Sequence, residues 1–309
     1  MRVGILGTGF GAYHAGIYKK HASVESIRIF GRNGEKLNKV KSELAIEVTE
    51  NIDDILNDPC IDLVDVCLPS NLHREYAIKA LEKGKNVFCE TPVSVSIEDA
   101  EAIAKAEKQY GKKVFVDLFL LFDPAYRYIH EIVNNGTMGK LKAIQVERKT
   151  APVWGSLGLD IIVTNLMIHD IDFITWILGV PDKIEAVGAA KGENESCVSA
   201  FLTYKNSIAE ITGSSMMPMG YPFTQGYEAV FESGVVKYHE EYYESGIVKQ
   251  TTEYTAAEKK EILLKQAVPW EEAISHVIEC CEKDIETTLS VKNAAASLKT
   301  AHKITNLII

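Results

Sequence analysis

The chain has 309 residues, 46% of them hydrophobic and 25% charged, with a formal net charge of −10. This is the composition of a globular protein, and the length allows one large domain or two ordinary ones. The negative charge disfavours binding to nucleic acid or to anionic membrane surfaces. No apolar run approaches the ~20 residues that cross a bilayer, and the N-terminus lacks a signal-peptide pattern. We therefore expect a soluble, cytoplasmic protein whose partner is a small molecule.

The six cysteines show no C-x-x-C pair and no spacing typical of a metal site. Cys67 and Cys89 lie in apolar, strand-like runs, and we predict that both are buried free thiols. These features predict a reducing compartment and no metal ligands.

Short apolar runs alternate with helical patterns up to about residue 120. Strands separated by single helices are typical of a doubly wound parallel sheet. The predicted strands are Arg2–Leu6, Ser26–Phe30, Ile46–Thr49, Asp62–Leu68, Asn86–Cys89 and Lys113–Asp117. We therefore assign the α/β fold class and predict a first domain over residues 1–120.

After residue 120 the strand-like runs follow one another with few helices between them. Helices are predicted at Pro124–Asn134, about 162–178, Trp270–Lys283 and Val291–Leu307. The predicted strands are Lys140–Arg148, Lys183–Ala190, Ser196–Tyr204, Ser207–Ser214, Tyr227–Phe231 and Val235–Glu240. Strands that follow one another directly are expected to pair antiparallel. Residues 121–309 are therefore predicted to form a second α/β domain with a large, open, mostly antiparallel sheet and helices on one face.

A glycine-rich turn directly follows the first predicted strand and opens the first helix: Gly7, Thr8, Gly9, Phe10, Gly11 and Ala12. It matches the pattern G-x-G-x-x-G/A, with Ala12 in the third place. The first glycine allows a tight turn, the second lets a pyrophosphate approach the backbone, and the third residue keeps helix and strand close. The helix N-terminus then faces the phosphates. We predict a dinucleotide site; the alternative is a glycine-rich turn without a ligand.

The second predicted strand ends at Gly31, Arg32 and Asn33, without an acid. An acid at this place binds the ribose 2′-hydroxyl of NAD, whereas an arginine accommodates the 2′-phosphate of NADP. Arg32 and Asn33 are available donors, so we predict NADP rather than NAD as the preferred cofactor. In the alternative, Arg32 stacks on the adenine of either cofactor.

Three further motifs follow the glycine-rich turn in order. They are Leu68-Pro69-Ser70-Asn71-Leu72-His73, then Cys89-Glu90-Thr91-Pro92, then His169-Asp170-Ile171-Asp172 leading into Trp176-Ile177-Leu178-Gly179. With these motifs the sequence resembles the Gfo/Idh/MocA family of dehydrogenases and reductases, named for glucose–fructose oxidoreductase and inositol dehydrogenase. The resemblance implies a Rossmann domain, NAD or NADP, sugar or cyclitol substrates, and dimers or tetramers formed through the sheet faces. It also implies cofactor contacts at Leu68, Pro69, Ser70, Asn71, His73, Glu90, Thr91 and Pro92.

The sequence departs from the family motifs where chemistry is expected. The usual Glu-Lys-Pro is Glu90-Thr91-Pro92 here, so a hydroxyl replaces an ammonium group. The usual Asp-x-x-x-His begins with Asn165 and ends with His169, so an amide that cannot accept a proton replaces a carboxylate. His169 remains as an ordinary acid–base group with an unperturbed pKa of about 6.5. We expect His169, Thr91 and Asn165 to be the catalytic residues; the alternative for His169 is a structural histidine.

Three neighbouring side chains each allow two interpretations. His73 follows a strand end that faces the predicted cofactor, so it either contacts phosphate or ribose or is simply an N-terminal helix residue. Asp170 and Asp172 are interpreted as acids on the helix surface or as caps, although Asp172 could instead orient the His169 imidazole.

These observations predict an NAD(P)-dependent oxidoreductase that transfers a hydride between nicotinamide and a carbonyl or secondary alcohol. A sugar-like or other small polyhydroxylated substrate is expected to contact Thr91, His169 and the loop at Trp154. Carbonyl reduction is favoured, because oxidation needs a base whereas reduction can take a proton from His169 or water. The alternative is a cofactor-sensing binding protein without turnover. Apolar residues facing outward from Ser196–Tyr204 and Ser207–Ser214 predict a homodimer or homotetramer.

Overall fold

The computed structural model describes residues 1–308, which form two compact units. The first unit comprises Met1–Phe119 and Val268–Ala295. The second comprises Leu120–Ala267 and the residues from Ala296 onward. The sequence alone predicts a single domain boundary, after residue 120. The predicted second domain, residues 121–309, differs from the structure because Val268–Ala295 belongs to the first unit.

The first unit is built on a parallel sheet. Its six strands are β1 (Arg2–Leu6), β2 (Ser26–Phe30), β3 (Glu47–Thr49), β4 (Leu63–Val66), β5 (Asn86–Cys89) and β6 (Val114–Val116). They are arranged in the order β3-β2-β1-β4-β5-β6, and every neighbouring pair is parallel. The chain winds outward first through β2 and β3 and then, in the opposite direction, through β4 to β6. This confirms the predicted doubly wound sheet, and its strand order reverses between β1 and β4.

Nine α-helices lie within residues 1–308, and local signals explain several of their ends. Ser96 accepts a hydrogen bond from the backbone N–H of Asp99 at 3.1 Å, and a left-handed Gly111 (φ +61°) follows the last helical residue of the same helix. The helices are α1 (Phe10–Lys20), α2 (Gly34–Leu44), α3 (Asp53–Leu56), α4 (His73–Glu82), α5 (Ile97–Tyr110), α6 (Pro124–Asn135), α7 (Ile168–Leu178), α8 (Pro269–Lys283) and α9 (Val291–Ile308).

The second unit contains an eight-stranded sheet. Its strands are β7 (Leu141–Lys149), β8 (Lys183–Lys191), β9 (Glu195–Thr203), β10 (Ile208–Ser214), β11 (Phe223–Phe231), β12 (Gly234–Tyr243), β13 (Gly246–Thr255) and β14 (Lys259–Glu261). The order is β14-β13-β12-β11-β7-β10-β9-β8, and every pair is antiparallel except β7 with β10. The predicted open, mostly antiparallel sheet is confirmed. The parallel pair was not predicted, because β7 pairs with strands that are distant in sequence.

The sequence analysis missed β13 and β14. Most residues of β13 are exposed, and all three residues of β14 are exposed. Strands that bury no continuous face, as in this outer part of the sheet, lack the alternation of apolar and polar residues from which strands are predicted.

The two faces of the second sheet differ in burial. The buried face packs on helices: the Tyr227 hydroxyl of β11 donates to the backbone carbonyl of Ala125 in α6 at 2.7 Å, and α7 lies against β7 and β10. The other face exposes apolar side chains, including Phe201 (47% exposed) and Ile208 (58% exposed).

No helix within residues 1–308 is long and apolar enough to span a membrane. The six cysteines all lie in this range and are free thiols. Cys89 is buried as predicted, whereas Cys67 is only half-buried.

Candidate cofactor and catalytic site

The glycine-rich turn lies at the carboxyl edge of the first sheet, where the strand order reverses. Gly7 has a φ of +117°, and a Cβ added there would lie 2.3 Å from the carbonyl oxygen of Cys67. Its backbone N–H donates to the Phe30 carbonyl at 2.9 Å. This position therefore requires glycine, both for its backbone conformation and for the close approach of the loop after β4.

Gly9 and Gly11 have different surroundings. A Cβ on Gly9 would meet no atom of residues 1–308 within 4 Å, so its backbone is open to a ligand. A Cβ on Gly11 would lie 2.7 Å from a methyl group of Ile5. Gly11, not Ala12 as predicted, is therefore the residue that allows helix α1 to pack closely on strand β1, because Gly11 faces β1.

The N-terminus of α1 is open. Gly9 occupies the capping position, no side chain of the described residues caps it, and the first turn carries no acid. The first backbone N–H groups of a helix lack partners within the helix, and the helix dipole favours negative charge at this end. Together with the uncovered backbone at Gly9, this end fits the pyrophosphate of a dinucleotide.

The end of β2 lies beside the glycine-rich turn. A Cβ on Gly31 would lie 2.6 Å from the Thr8 methyl group, so the two turns are in close contact. Arg32 is exposed. The Asn33 side-chain oxygen accepts a hydrogen bond from the Lys36 backbone N–H at 3.0 Å and caps α2. That bond uses the oxygen of Asn33, so only its NH₂ group is left to meet a phosphate.

The His73 side chain bridges the loop after β4 and the loop after β5. Its Nδ1 lies 2.9 Å from the Pro92 carbonyl and its Nε2 lies 2.7 Å from the Leu68 carbonyl, and the ring is buried. Neither ring nitrogen is left for a phosphate. The predicted cofactor contact by the His73 side chain is therefore wrong, and the alternative of a structural helix residue is the one that fits.

The remaining predicted cofactor contacts lie in the same two loops. Leu68 and Ser70 are half-buried, whereas Pro69 and Asn71 are exposed. In the loop after β5, the Thr91–Pro92 peptide is cis, and the Thr91 N–H donates to Glu90 Oε2 at 3.2 Å.

Four acid–base side chains that the sequence analysis did not single out as a group meet beneath these loops. His14 of α1 is fully buried, and its Nδ1 lies 2.9 Å from Asp65 Oδ2 of β4. The His14 Nε2 lies 3.5 Å from Glu90 Oε1 and 3.7 Å from Asp117 Oδ2. We call His14, Asp65, Glu90 and Asp117 the buried acid cluster.

Burial and mutual repulsion shift the protonation of this cluster. Burial, with repulsion from Asp117, raises the pKa of Glu90 to about 8. Burial also raises the pKa of Asp117 to about 7, although His14 opposes this shift. For His14, burial alone would lower the pKa, but the carboxylates, Asp65 first, raise it to about 9. One sequence signal could have found the cluster, namely Asp65 as a lone acid in a buried apolar strand.

The other predicted catalytic residues lie in the second unit. Asn165 belongs to a π-helical segment, Val163–Met167, that leads into α7, and His169 is in the first turn of α7. Asn165 is exposed, and its side-chain oxygen accepts from the Thr164 hydroxyl at 3.2 Å. The helix predicted over about 162–178 is therefore not a regular α-helix throughout, because it begins with a π-helical segment; such segments occur frequently at functional sites.

His169 is half-buried and lies close to a buried ion pair. Arg148 donates to both oxygens of Asp170, at 2.8 and 2.9 Å. Asp170 is fully buried and Asp172 is 5% exposed, so the interpretation of these two acids as helix-surface residues is wrong. Burial, together with the positive charge of Arg148, lowers the pKa of His169 to about 3. The imidazole is therefore neutral at physiological pH.

Two family models match consecutive parts of the chain. The model described as the oxidoreductase family with an NAD-binding Rossmann fold matches residues 1–118. The model of the GFO/IDH/MocA C-terminal domain matches residues 126–237. The chain belongs to the GFO/IDH/MocA family. The predicted family resemblance is thereby confirmed.

Curated members of the GFO/IDH/MocA family align over part of their length. The chain is 30% identical over 199 residues to the myo-inositol 2-dehydrogenase of Thermotoga maritima, which covers 61% of this chain and 58% of that protein. It is 26% identical over 185 residues to the inositol 2-dehydrogenase of Azotobacter vinelandii, covering 58% and 54%. The chain thus spans little more than half the length of the curated relatives that it matches.

Solved structures of the same fold match over nearly the whole chain. The UDP-N-acetylglucosamine 3-dehydrogenase of Acidithiobacillus ferrooxidans superposes with a TM-score of 0.85 at 20% identity, covering 100% of this chain and 97% of that chain. An oxidoreductase from Agrobacterium radiobacter, solved with NAD⁺, L-tartaric acid and magnesium, superposes with a TM-score of 0.82 at 16% identity, covering 99% and 96%. At these identities the likeness establishes the fold.

Proposed function

We propose that the chain is an NAD(P)-dependent oxidoreductase that transfers a hydride between nicotinamide and a carbonyl or secondary alcohol. The observation that carries this proposal is the open N-terminus of α1 between β1 and β4. Its backbone N–H groups are uncapped, and the backbone at Gly9 is uncovered. Family membership supports the same activity.

The residues of the first unit have distinct proposed roles toward the dinucleotide. The turn Gly7–Ala12 binds the pyrophosphate through backbone N–H groups. Arg32, with the NH₂ group of Asn33, binds the 2′-phosphate, so NADP is the proposed cofactor. The loops at Leu68–Asn71 and Glu90–Pro92 bind the ribose and nicotinamide end. When bound, the nicotinamide supplies or accepts the hydride.

His169 and Thr91 are the proposed groups for the substrate oxygen. A neutral imidazole can hydrogen-bond a hydroxyl or carbonyl oxygen, and it can accept a proton as charge develops there. With its pKa lowered to about 3, however, His169 holds no proton to release at neutral pH. We therefore propose that carbonyl reduction takes its proton from water. Thr91 and Asn165 contribute hydrogen bonds and no charge.

The proposed substrate is a sugar-like or other small polyhydroxylated molecule. The curated relatives named above are inositol dehydrogenases, and one structural neighbour is a nucleotide-sugar dehydrogenase. Cyclitol ketones and keto forms of nucleotide sugars are accordingly the first compounds to test.

The test is a turnover assay with the purified chain. NADPH and NADH are each incubated with a panel of cyclitol ketones, keto-sugars and simple ketones, and nicotinamide absorbance is followed. We expect oxidation of NADPH with at least one polyhydroxylated ketone, and none by the Gly9→Ala variant. Absence of turnover across the panel, in both directions, would argue against the proposal.

A second candidate function is a cofactor sensor without turnover. Thr91 and Asn165 favour it, because they stand where the family motifs usually carry a lysine and an aspartate. Calorimetry distinguishes the two functions when it is run beside the turnover assay. Tight NADPH binding without turnover on any member of the panel favours the sensor.

A further inference from the structure

Three buried polar atoms of the first unit face one another without a hydrogen bond. They are His14 Nε2, Glu90 Oε1 and Asp117 Oδ2; among residues 1–308 none makes a hydrogen bond of ordinary geometry, and a weaker side-chain hydrogen bond from Trp270 reaches the Asp117 carboxylate. His14 is 0% exposed and Asp117 is 1% exposed. Buried polar atoms are nearly always paired, so three orphaned atoms in one place need an explanation. We propose that His14, Glu90 and Asp117 bind one divalent transition-metal ion of the Zn²⁺ type.

The spacing of these atoms fits a metal ion better than direct hydrogen bonds. His14 Nε2 lies 3.5 Å from Glu90 Oε1 and 3.7 Å from Asp117 Oδ2. Both distances exceed the usual N–H···O range of about 2.7–3.2 Å. Ligand atoms about 2.1 Å from a tetrahedral Zn²⁺ are about 3.4 Å apart, which is close to both distances. The ligand atoms of His14, Cys67 and Glu90 lie within 4.8 Å of one another, so the Asp117 carboxylate, which approaches His14 Nε2, would have to shift to complete the coordination.

Asp65 prepares His14 for this role. Its Oδ2 lies 2.9 Å from His14 Nδ1 and holds a proton on that nitrogen. Because the pKa of His14 is raised to about 9, Nε2 also carries a proton in the metal-free chain, and it would release this proton when a metal ion binds between it and the other two carboxylates. A carboxylate that binds the far nitrogen of a histidine is the usual support of a metal-bound imidazole. The rings of Phe10 and Phe88 flank the same imidazole, with ring centroids 5.2 and 5.6 Å away.

The negative charge of the buried acid cluster also favours binding of a cation. No lysine or arginine in the described part of the chain pairs with Asp65, Glu90 or Asp117, and His14 is the sole cationic partner of all three. Three ionised carboxylates beside one imidazole would be strongly unfavourable when buried. A divalent cation offsets this charge, and the raised pKa values of Glu90 and Asp117 are the alternative response when only protons are present.

The site has an access route and a nearby thiol. The Glu90 side chain is 18% exposed, which gives an ion a path from solvent. Cys67 Sγ lies within 4.8 Å of a His14 nitrogen and a Glu90 oxygen, but it donates to Asp65 Oδ1 at 3.2 Å. We assign Cys67 outside the coordination shell, which makes it a matched control.

The experiment measures metal binding directly, without cofactor or substrate, so its result is independent of the proposed function. The full chain is dialysed against a chelator and then titrated with Zn²⁺ by calorimetry and with Co²⁺ by visible absorption. We expect one ion per chain and a Co²⁺ spectrum typical of nitrogen and oxygen ligands. Cys60→Ser is introduced throughout, because Cys60 is an exposed thiol that can itself bind these metals.

Variants distinguish the proposed site from other sites. Glu90→Gln and Asp117→Asn keep the side-chain shape and should each weaken binding by at least about 100-fold. Asp65→Asn should weaken it by about 10–100-fold, since it removes the supporting carboxylate. Cys67→Ser should change it less than about threefold. Circular dichroism checks each fold, and if Asp117→Asn does not fold, the partly exposed Glu90→Gln suffices for the test.

Two outcomes would overturn the proposal. In one, the wild-type chain binds neither ion. In the other, binding survives Glu90→Gln unchanged or is lost in Cys67→Ser. In the first case the cluster is held together by shared protons alone, and in the second the metal is bound elsewhere or through the thiol.

Discussion

Arg148 of β7 donates two hydrogen bonds to the carboxylate of Asp170, and the two side chains are 3% and 0% exposed. The pair joins the sheet of the second unit to the first turn of α7, next to His169. The remaining Arg148 nitrogen donates to Gln225 at 2.5 Å. A buried, two-bond ion pair with its donors satisfied fixes the position of a helix more rigidly than apolar contact alone.

Breaking this pair should be strongly destabilising. In Asp170→Asn the positive charge of Arg148 stays buried without its counter-ion, and loss of one partner of a buried pair costs about 3–5 kcal/mol. Urea unfolding measures the change. The matched control is Glu185→Gln, which removes the exposed 3.0 Å pair with Lys183 and should change stability by less than about 1 kcal/mol. Equal effects of the two variants would contradict the role of burial.

Gly9→Ala should abolish dinucleotide binding without unfolding the chain. A Cβ at Gly9 meets nothing within 4 Å in residues 1–308, although the backbone there (φ −75°, ψ −106°) lies outside the α and β regions and will cost alanine some strain. The new methyl group would instead occupy the approach of the pyrophosphate. We expect NADPH affinity to fall at least about tenfold by calorimetry, while circular dichroism shows that the chain is still folded. Gly16→Ala, on the same helix and also with open space around it, is the control and should bind normally. Normal binding by Gly9→Ala would place the phosphates elsewhere.

Arg32→Ala should remove the preference for NADPH over NADH. A charge-assisted hydrogen bond contributes about 1.5–3 kcal/mol, so NADPH should bind the unmodified chain more tightly by that amount. The variant should lose most of this difference while NADH affinity stays the same. Arg74→Ala, another exposed arginine of the first unit, paired with Asp99 at 3.3 Å, is the control. Equal affinity of the unmodified chain for NADH and NADPH would contradict the assignment.

His169→Ala should lower kcat by about 10²–10³-fold, the usual cost of removing a hydrogen-bond donor aimed at a developing negative oxygen, while leaving NADPH affinity nearly unchanged. Because the pKa of His169 is lowered to about 3, its neutral form is present above that pH. Its contribution should therefore stay constant from pH 5 to pH 8. The exposed His239→Ala is the control. An inflection near pH 6.5 that vanishes in His169→Ala would contradict the neutral imidazole.

The exposed face of the second sheet should form a homodimer or homotetramer interface. Phe201 and Ile208 are exposed on neighbouring strands of that face, and such apolar surface is usually covered by a partner. Light scattering at micromolar concentration should give at least twice the 34.2 kDa chain mass. Phe201→Glu should reduce the mass toward one chain, whereas Leu263→Glu, at a site 92% exposed outside the strands, should not. A single-chain mass for the unmodified protein would refute the interface.

The alternation of strands and helices made the first unit predictable. Strands such as Ser26–Phe30 and Asn86–Cys89 were predicted to the residue, because each is apolar and ends in turn residues. The return of Val268–Ala295 to the first unit could not be predicted, since helical periodicity shows that a face is buried and not which sheet it covers.

The candidate site was also predictable only in part. The glycine-rich turn could be predicted because its residues are contiguous and their backbone requirements are specific. His14, Asp65, Glu90 and Asp117 come from one helix and the ends of three strands, and only the strand order β1-β4-β5-β6 brings them together. The low pKa of His169 depends on its burial beside Arg148, twenty-one residues earlier in the chain.

The discontinuity of the first unit has a consequence for synthesis and fragment design. Helix α8 contributes fully buried residues, among them Ala273, Ile274 and Val277, to a unit whose sheet is complete by Val116. On the ribosome, the nascent nucleotide-binding sheet must therefore wait for about 150 further residues before its last covering helix emerges. A fragment ending at Phe119 leaves that surface bare, so an isolated nucleotide-binding domain would have to be built by joining Val268–Ala295 to Phe119 through a designed linker.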